Sequence, residues 1–210
     1  QVAPICSGGS FTLPTNSINN IAGSWSPAIN NTATTIYNFT PASALASFPT
    51  CASLTQMTIA VNPRITPTFT QVAPICRGTS SFSLPTNSIN GIAGSWSPSI
   101  NNTATTTYNF TPASVSTGFP TCANTAQMTV VVNAIPPTPT ITPIDCSSGF
   151  GNGKFIVTNP VGNYEYSING GTSYQDAVDF TNLTNNTYTL IAKEKTTRCG
   201  SLPLTPIRVT

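Results

Sequence analysis

The chain has 210 residues, enough for two or three small domains, and only 6% of them are charged, with a formal net charge of +2. So small and scattered a charge excludes an electrostatic nucleic-acid partner, and no apolar run reaches the ~18 residues of a membrane-spanning helix. Disorder is excluded too, because the chain is rich in the Thr, Ile, Val, Phe and Tyr that disordered segments lack.

From Gln1 to Thr140 there is no Asp or Glu, and the only basic residues are Arg64 and Arg77. Solubility must come from Thr, Ser and Asn, as in extracellular β-repeats. Residues Ser10 to Ser43 recur as Ser81 to Ser114, differing only at Thr12/Ser83, Asn20/Gly91, Ala28/Ser99 and Ile36/Thr107. A period of about 70 residues is too long for a solenoid unit and suits a small β-domain.

In repeat 1, QVAPICSGG is an entry segment ending in a turn. Ser10–Leu13 alternates polar and apolar and predicts a half-buried strand. Gly23–Pro27 predicts a short strand around Trp25, Thr34–Thr40 the clearest strand, and Gln56–Asn62 a terminal strand with Met57, Ile59 and Val61 on one face. Repeat 2 predicts the same at Ser81–Leu84, Gly94–Pro98, Thr105–Thr111 and Gln127–Asn133. In the third unit, strands are expected at Gly153–Val157, Tyr164–Ile168, Thr187–Glu194 and Pro203–Val209, with Asn169-Gly170 a type I′ hairpin turn and Tyr174 on the return strand. No segment supports a helix. The fold class is all-β: a tandem array of small Ig-like β-sandwich modules joined by Pro/Thr-rich linkers. The expected division is repeat 1 at 1–63, a linker at 64–70, repeat 2 at 71–134, a Pro/Thr linker at 135–143 and a third module at 144–210. Proline-rich linkers are stiff and extended, so the modules are expected to be strung end to end.

Each unit carries one cysteine near its start and one near its end: Cys6 and Cys51, Cys76 and Cys122, Cys146 and Cys199. Wide spacing and the absence of His make a poor metal site. One disulfide per domain is the favoured reading, with free buried thiols as the alternative. The expected pairs are Cys6–Cys51, Cys76–Cys122 and Cys146–Cys199, which implies an oxidising compartment.

The absence of His also excludes Ser-His-Asp and Cys-His catalysis. Carboxylates are limited to Asp145, Glu165, Asp176, Asp179 and Glu194. Asp176 and Asp179 are the one pair to consider for Ca²⁺, and a solvated loop is the plainer reading. No catalytic residue, cofactor or metal is expected. Trp25 and Trp96 are read as core residues packed over a disulfide, with sugar stacking as the alternative. Tyr37/Phe39 and Tyr108/Phe110 are read as core. Tyr164, Tyr166 and Tyr174, around the hairpin, are the candidate ligand patch. The Asn-x-Thr sites at Asn30, Asn38, Asn101, Asn109, Asn182 and Asn185 are read as turn and strand residues rather than glycan acceptors.

The third unit resembles the SprB-type repeat of Bacteroidota surface proteins, through Tyr164, Tyr166, Ser167, Ile168, Asn169, Gly170, Gly171, Phe180, Leu183, Tyr188 and Cys199. The leading units, with GSWSP and NNTATTTYNFTP, are similar to the Ig-like repeats that accompany it in large gliding-motility adhesins and related type IX-secreted proteins. The resemblance implies extracellular modules of a long surface adhesin or filament, and an internal fragment of it. The expected function is a structural spacer supporting surface adhesion or gliding motility. A carbohydrate- or protein-binding role for the C-terminal unit, or a fibre assembled through strand edges, is the alternative. Expected partners are neighbouring repeats of the same chain, surface glycans or other cell-surface proteins, with no nucleic acid and no membrane span.

Overall fold

A computed structural model describes residues 2–42, 54–78, 81–113, 122–145 and 153–209. Among them there is no helix. Repeat 1 forms β1 (Ile5–Cys6), β2 (Gly23–Ser26), β3 (Thr35–Pro41), β4 (Thr55–Ile59) and β5 (Val61–Asn62). Repeat 2 forms β6 (Ile75–Cys76), β7 (Gly94–Ser97), β8 (Thr106–Pro112), β9 (Ala126–Val130) and β10 (Val132–Asn133). The remainder forms β11 (Thr140–Ile141), β12 (Gly153–Asn159), β13 (Tyr164–Ser167), β14 (Asp179–Leu183), β15 (Asn186–Glu194) and β16 (Leu204–Val209).

Two compact units divide the chain, one of residues 1–70, 84–98 and 108–128, the other of 71–83, 99–107 and 129–210. In the first unit β2-β3-β4 is an antiparallel sheet whose alternation buries Tyr37 and Phe39 and exposes Ile36 and Asn38. The expected terminal strand Gln56–Asn62 is two strands. Its first part pairs with β3, and after Ala60 the chain turns to pair β5 in parallel with β1. The switch has its own bonds: the Ile5 N–H donates to the Ala60 carbonyl (3.0 Å) and the Val61 N–H to the Thr34 hydroxyl (2.9 Å). Ser10–Leu13 does not enter a sheet; its alternation reports burial, with Phe11 edge-on against Tyr37 at 6.0 Å. Repeat 2 reproduces the sheet order as β7-β8-β9 and the parallel pair as β10-β6.

The Asn residues of both repeats do structural work. Asn30 and Asn101 each accept from the N–H and hydroxyl of the Thr two residues on, making an Asx turn at a sequon. Asn38 and Asn109 accept across the strand from Gln56 and Gln127.

In the second unit two three-stranded sheets, β11-β12-β14 and β13-β15-β16, enclose one core of Phe155, Val157, Tyr166, Phe180, Leu183, Leu190, Ala192, Ile207 and Val209. Both sheets contribute to it, which makes this part a β-sandwich. The turn at Asn169-Gly170 is wider than a two-residue hairpin. Tyr166 and Gln175 exchange both backbone bonds, and the loop between them is held by Asn169, which accepts from the Ser173 N–H and bonds its hydroxyl. Ser167 competes for the same backbone, its hydroxyl accepting from the Gly171 N–H (2.8 Å), and that pulls the turn open.

Candidate functional site

The cysteine pairs are not those expected. Cys6 bonds Cys122, 116 residues away, and Cys76 bonds Cys199, 123 residues away. Each disulfide therefore joins the opening of one repeat to the end of the next, and neither closes a single repeat. Cys51 and Cys146 lie outside the described residues. The cause is the parallel pairing of first and last strands. Cys6 sits opposite Asn62, so the cysteine near the start of repeat 1 lies beside that repeat's exit. The next repeat begins there.

Residues 64–70, expected as a bare linker, carry that connection. The Arg64 guanidinium donates to the Ser7 carbonyl (3.0 Å), next to Cys6. The Ile65 N–H donates to the Cys122 carbonyl (2.7 Å), and the Asn124 N–H donates to the Ile65 carbonyl (2.9 Å). Further on, Phe69 packs on Trp96 at 4.8 Å and on Phe110 at 4.7 Å between ring centroids. The 135–143 stretch, also expected as a linker, contains β11, and its Pro139 is buried. Proline content marked both stretches as stiff linkers. The signal that could have placed them is the recurrence of Thr-Pro-Thr-apolar-Thr at 66–70 and 138–142.

The tryptophans are packing residues, but their partners are rings. Trp25 and Trp96 pack tilted against Phe39 and Phe110 at 5.0 and 5.1 Å between ring centroids, and each indole N–H donates to a proline carbonyl, Pro14 or Pro85. A disulfide beneath them within their own repeat is ruled out by the cysteine pairing.

The three candidate ligand tyrosines do not share one surface. Tyr166 is 1% exposed and donates its hydroxyl proton to the Pro160 carbonyl (2.6 Å); burial, then the neighbouring Tyr164, pushes that phenol up from its ordinary value. Tyr166 and Tyr174 both line a cleft of about 410 Å³, and the Tyr174 ring lies 3.6 Å beneath the Lys193 ammonium. Tyr164 lines a different groove, of about 480 Å³, with Asn133, Pro136 and Glu194.

Lys193 organises the charges of the second unit. It pairs with Glu165 at 2.7 Å, and Arg198 reaches the same oxygen at 2.9 Å. The Lys193 hydrogen bond holds the Glu165 carboxyl below its ordinary value, against the opposing effect of burial. Glu194 accepts from the Asn163 amide (2.6 Å) and the Thr197 N–H (2.5 Å), and bonds from Thr197 hold its pKa down to about 2. Asp176, one of the two carboxylates considered for Ca²⁺, pairs with Lys195 at 3.0 Å. Asp179 is exposed on β14. Among the described residues no three His, Cys, Asp or Glu side chains group as a metal site.

No protein-family model matches this chain, and no curated protein does. A crystal structure of domains from titin is similar at 11% identity and a TM-score of 0.23, covering 83% of this chain and 74% of that one. The structure itself shows an all-β, disulfide-bonded chain among the described residues, and its disulfides mark folding in an oxidising compartment.

Proposed function

We propose that the chain is a spacer portion of a large extracellular adhesin: tandem Ig-like β-sandwich repeats that hold a binding region away from the cell surface. The observation that carries this reading is the connectivity of Cys6–Cys122 and Cys76–Cys199. A binding module or an enzyme gains nothing special from joining consecutive repeats. A chain under tension does. Force entering at one end and leaving at the other passes Cys6 to Cys122, back through 76–122, and across to Cys199. The rest of the polypeptide between Cys6 and Cys199 is bypassed. Near-identical repeats with an almost uncharged surface fit the same role, because a spacer needs length rather than chemical variety. SprB-type and Ig-like repeat resemblance supports placement on a bacterial surface, in adhesion or gliding.

The test is mechanical. The chain is held by its two ends and stretched with and without reductant. At 3.3–3.6 Å per residue, reduction should lengthen the fully unfolded chain by on the order of 500 Å. Equal extension in both states would remove the cross-links from the force path and with them this reading. Saturable binding of a glycan or surface protein to the 138–210 region would favour the binding-module alternative instead.

A further inference from the structure

Repeat 1 has an open groove where repeat 2 has a docked segment. In repeat 2 the segment Thr66–Thr70 lies along the loop that precedes β7. The Ile89 N–H donates to the Thr68 carbonyl (2.8 Å), the Asn90 amide donates to the Thr66 carbonyl (3.0 Å), and Asn90 accepts from the Thr68 N–H (3.3 Å). Pro67 is buried, and Phe69 fills the space against Trp96 and Phe110. Under this cover Ser88, Ile92 and Met128 are buried.

The equivalent residues of repeat 1 are the same amino acids in a different state. Ser17, Ile21 and Met57 are only half-buried, and Ile18 is 103% exposed where its counterpart Ile89, itself exposed, is at 72%. Between them runs a groove of about 590 Å³, floored by Trp25, Phe39 and Met57 and rimmed by Pro14 and Ile18. Repeat 1 thus keeps the receiving loop and rings of repeat 2, with Asn19 in the place of Asn90, and differs at Asn124, which donates to the Thr66 hydroxyl (3.0 Å) and whose sequence counterpart is Ser53. The sequence QVAPIC opens both repeats, at 1–6 and 71–76, and the strand that fills the groove in repeat 2 lies immediately before that motif.

The same device recurs in the second unit. Thr138–Thr142 repeats the Thr-Pro-Thr-apolar-Thr pattern, Pro139 is buried like Pro67, and Ile141 packs on the sandwich core as part of β11. Its hydrogen bonds to β12 include the Thr142 N–H to the Ile156 carbonyl (2.8 Å).

We infer that the Trp25–Phe39–Met57 groove is a docking site for an extended Thr-Pro-Thr-Phe-Thr strand that enters from the N-terminal side of Val2, as Thr66–Thr70 enters repeat 2. The buried proline fixes the backbone in an extended form, the aromatic residue supplies the apolar contact, and the backbone bonds set the register. Each repeat then gives its exit strand to complete its successor. A second copy of the chain is a poor donor, since its own two such strands are already seated. This inference shares with the spacer reading only the repeat itself, and the spacer reading stands if the strand does not dock.

The test compares the 210-residue chain with two extended forms, one carrying Ile-Thr-Pro-Thr-Phe-Thr ahead of Gln1 and one with Ala in place of that Phe. Amide exchange at Ile18 and acrylamide quenching of the indoles are the readouts. The Phe form should slow exchange at Ile18 at least tenfold and lower quenching, while the Ala form changes exchange less than threefold. In parallel, Phe69→Ala should raise exchange at Ile89, where the docked strand is already in place. Equal behaviour of the two extensions, or no protection from either, overturns the proposal. Concentration-dependent protection of Ile18 in the unextended chain also overturns it, by assigning the groove to a second copy.

Discussion

Cys6 lies opposite Asn62 in the parallel pair that closes repeat 1, and this single register places its sulfur beside Cys122 of the next repeat. The Cα atoms of Cys6 and Cys122 are 5.2 Å apart, inside the range a disulfide requires. Everything distinctive about the joint follows from that placement.

A non-reducing digest should release Cys6 linked to Cys122 and Cys76 linked to Cys199, and no peptide joining Cys6 to Cys51. Loops of this length are worth on the order of 2–5 kcal/mol. Cys122→Ser should cost about that much, and Cys6→Ser together with Cys122→Ser should cost little more than either alone. Additive losses in denaturant titrations would contradict the pairing.

Gly94 is required by a ring. A Cβ built there would stand 2.4 Å from the Phe110 Cζ and 2.4 Å from the Thr111 carbonyl oxygen. Gly94→Ala should destabilise repeat 2 by roughly 1–3 kcal/mol through overpacking. The matching Gly23→Ala, against Phe39, should behave alike, and thermal melts of the two variants check both.

The Tyr37 hydroxyl accepts from the Asn30 N–H (2.9 Å) and donates to the Asn30 carbonyl (3.2 Å), while its ring is fully buried. Tyr37→Phe keeps the ring and leaves two backbone groups without that partner. The expected loss is about 1–3 kcal/mol, with faster exchange of the Asn30 amide as the local readout.

Acid should act on one part of the chain. All five carboxylates lie at or beyond Asp145. Glu194 has its folded pKa depressed to about 2 by bonds from Thr197, so the stability it contributes is present above its ordinary value of 4.5 and lost as pH falls toward 2. Glu165, lowered by Lys193, acts in the same direction. Residue-resolved signals from β12 to β16 should weaken between pH 4.5 and 2 while those of β2-β3-β4 persist. Glu194→Gln should reduce the slope in that window. A uniform acid transition along the whole chain would refute the assignment.

Much of the fold was legible in the residues. Alternation in Thr34–Thr40 and Thr105–Thr111 located the buried Tyr and Phe pairs correctly, because which face of a strand a side chain takes is set by the strand's own two-residue period. The same rule failed at Ser10–Leu13, where half-burial comes from packing Phe11 on Tyr37 without a ladder. It failed again at Gln56–Asn62, because no local pattern announces that Ala60 is where the chain changes partner. Tyr164, Tyr166 and Tyr174 looked like one patch because they are close in sequence. β13 sends Tyr166 into the core, while Tyr174 is drawn under Lys193 of β15.

By itself, then, the sequence determined an all-β chain, its repeat, its buried ring pairs and an almost uncharged surface over its first two-thirds. These are consequences of local period and composition. The partners of the cysteines and the seating of Phe69 were decided only by tertiary structure. Both depend on which strand ends meet across more than a hundred residues or across a repeat boundary, and that is set by the parallel pairing of β1 with β5 and of β6 with β10.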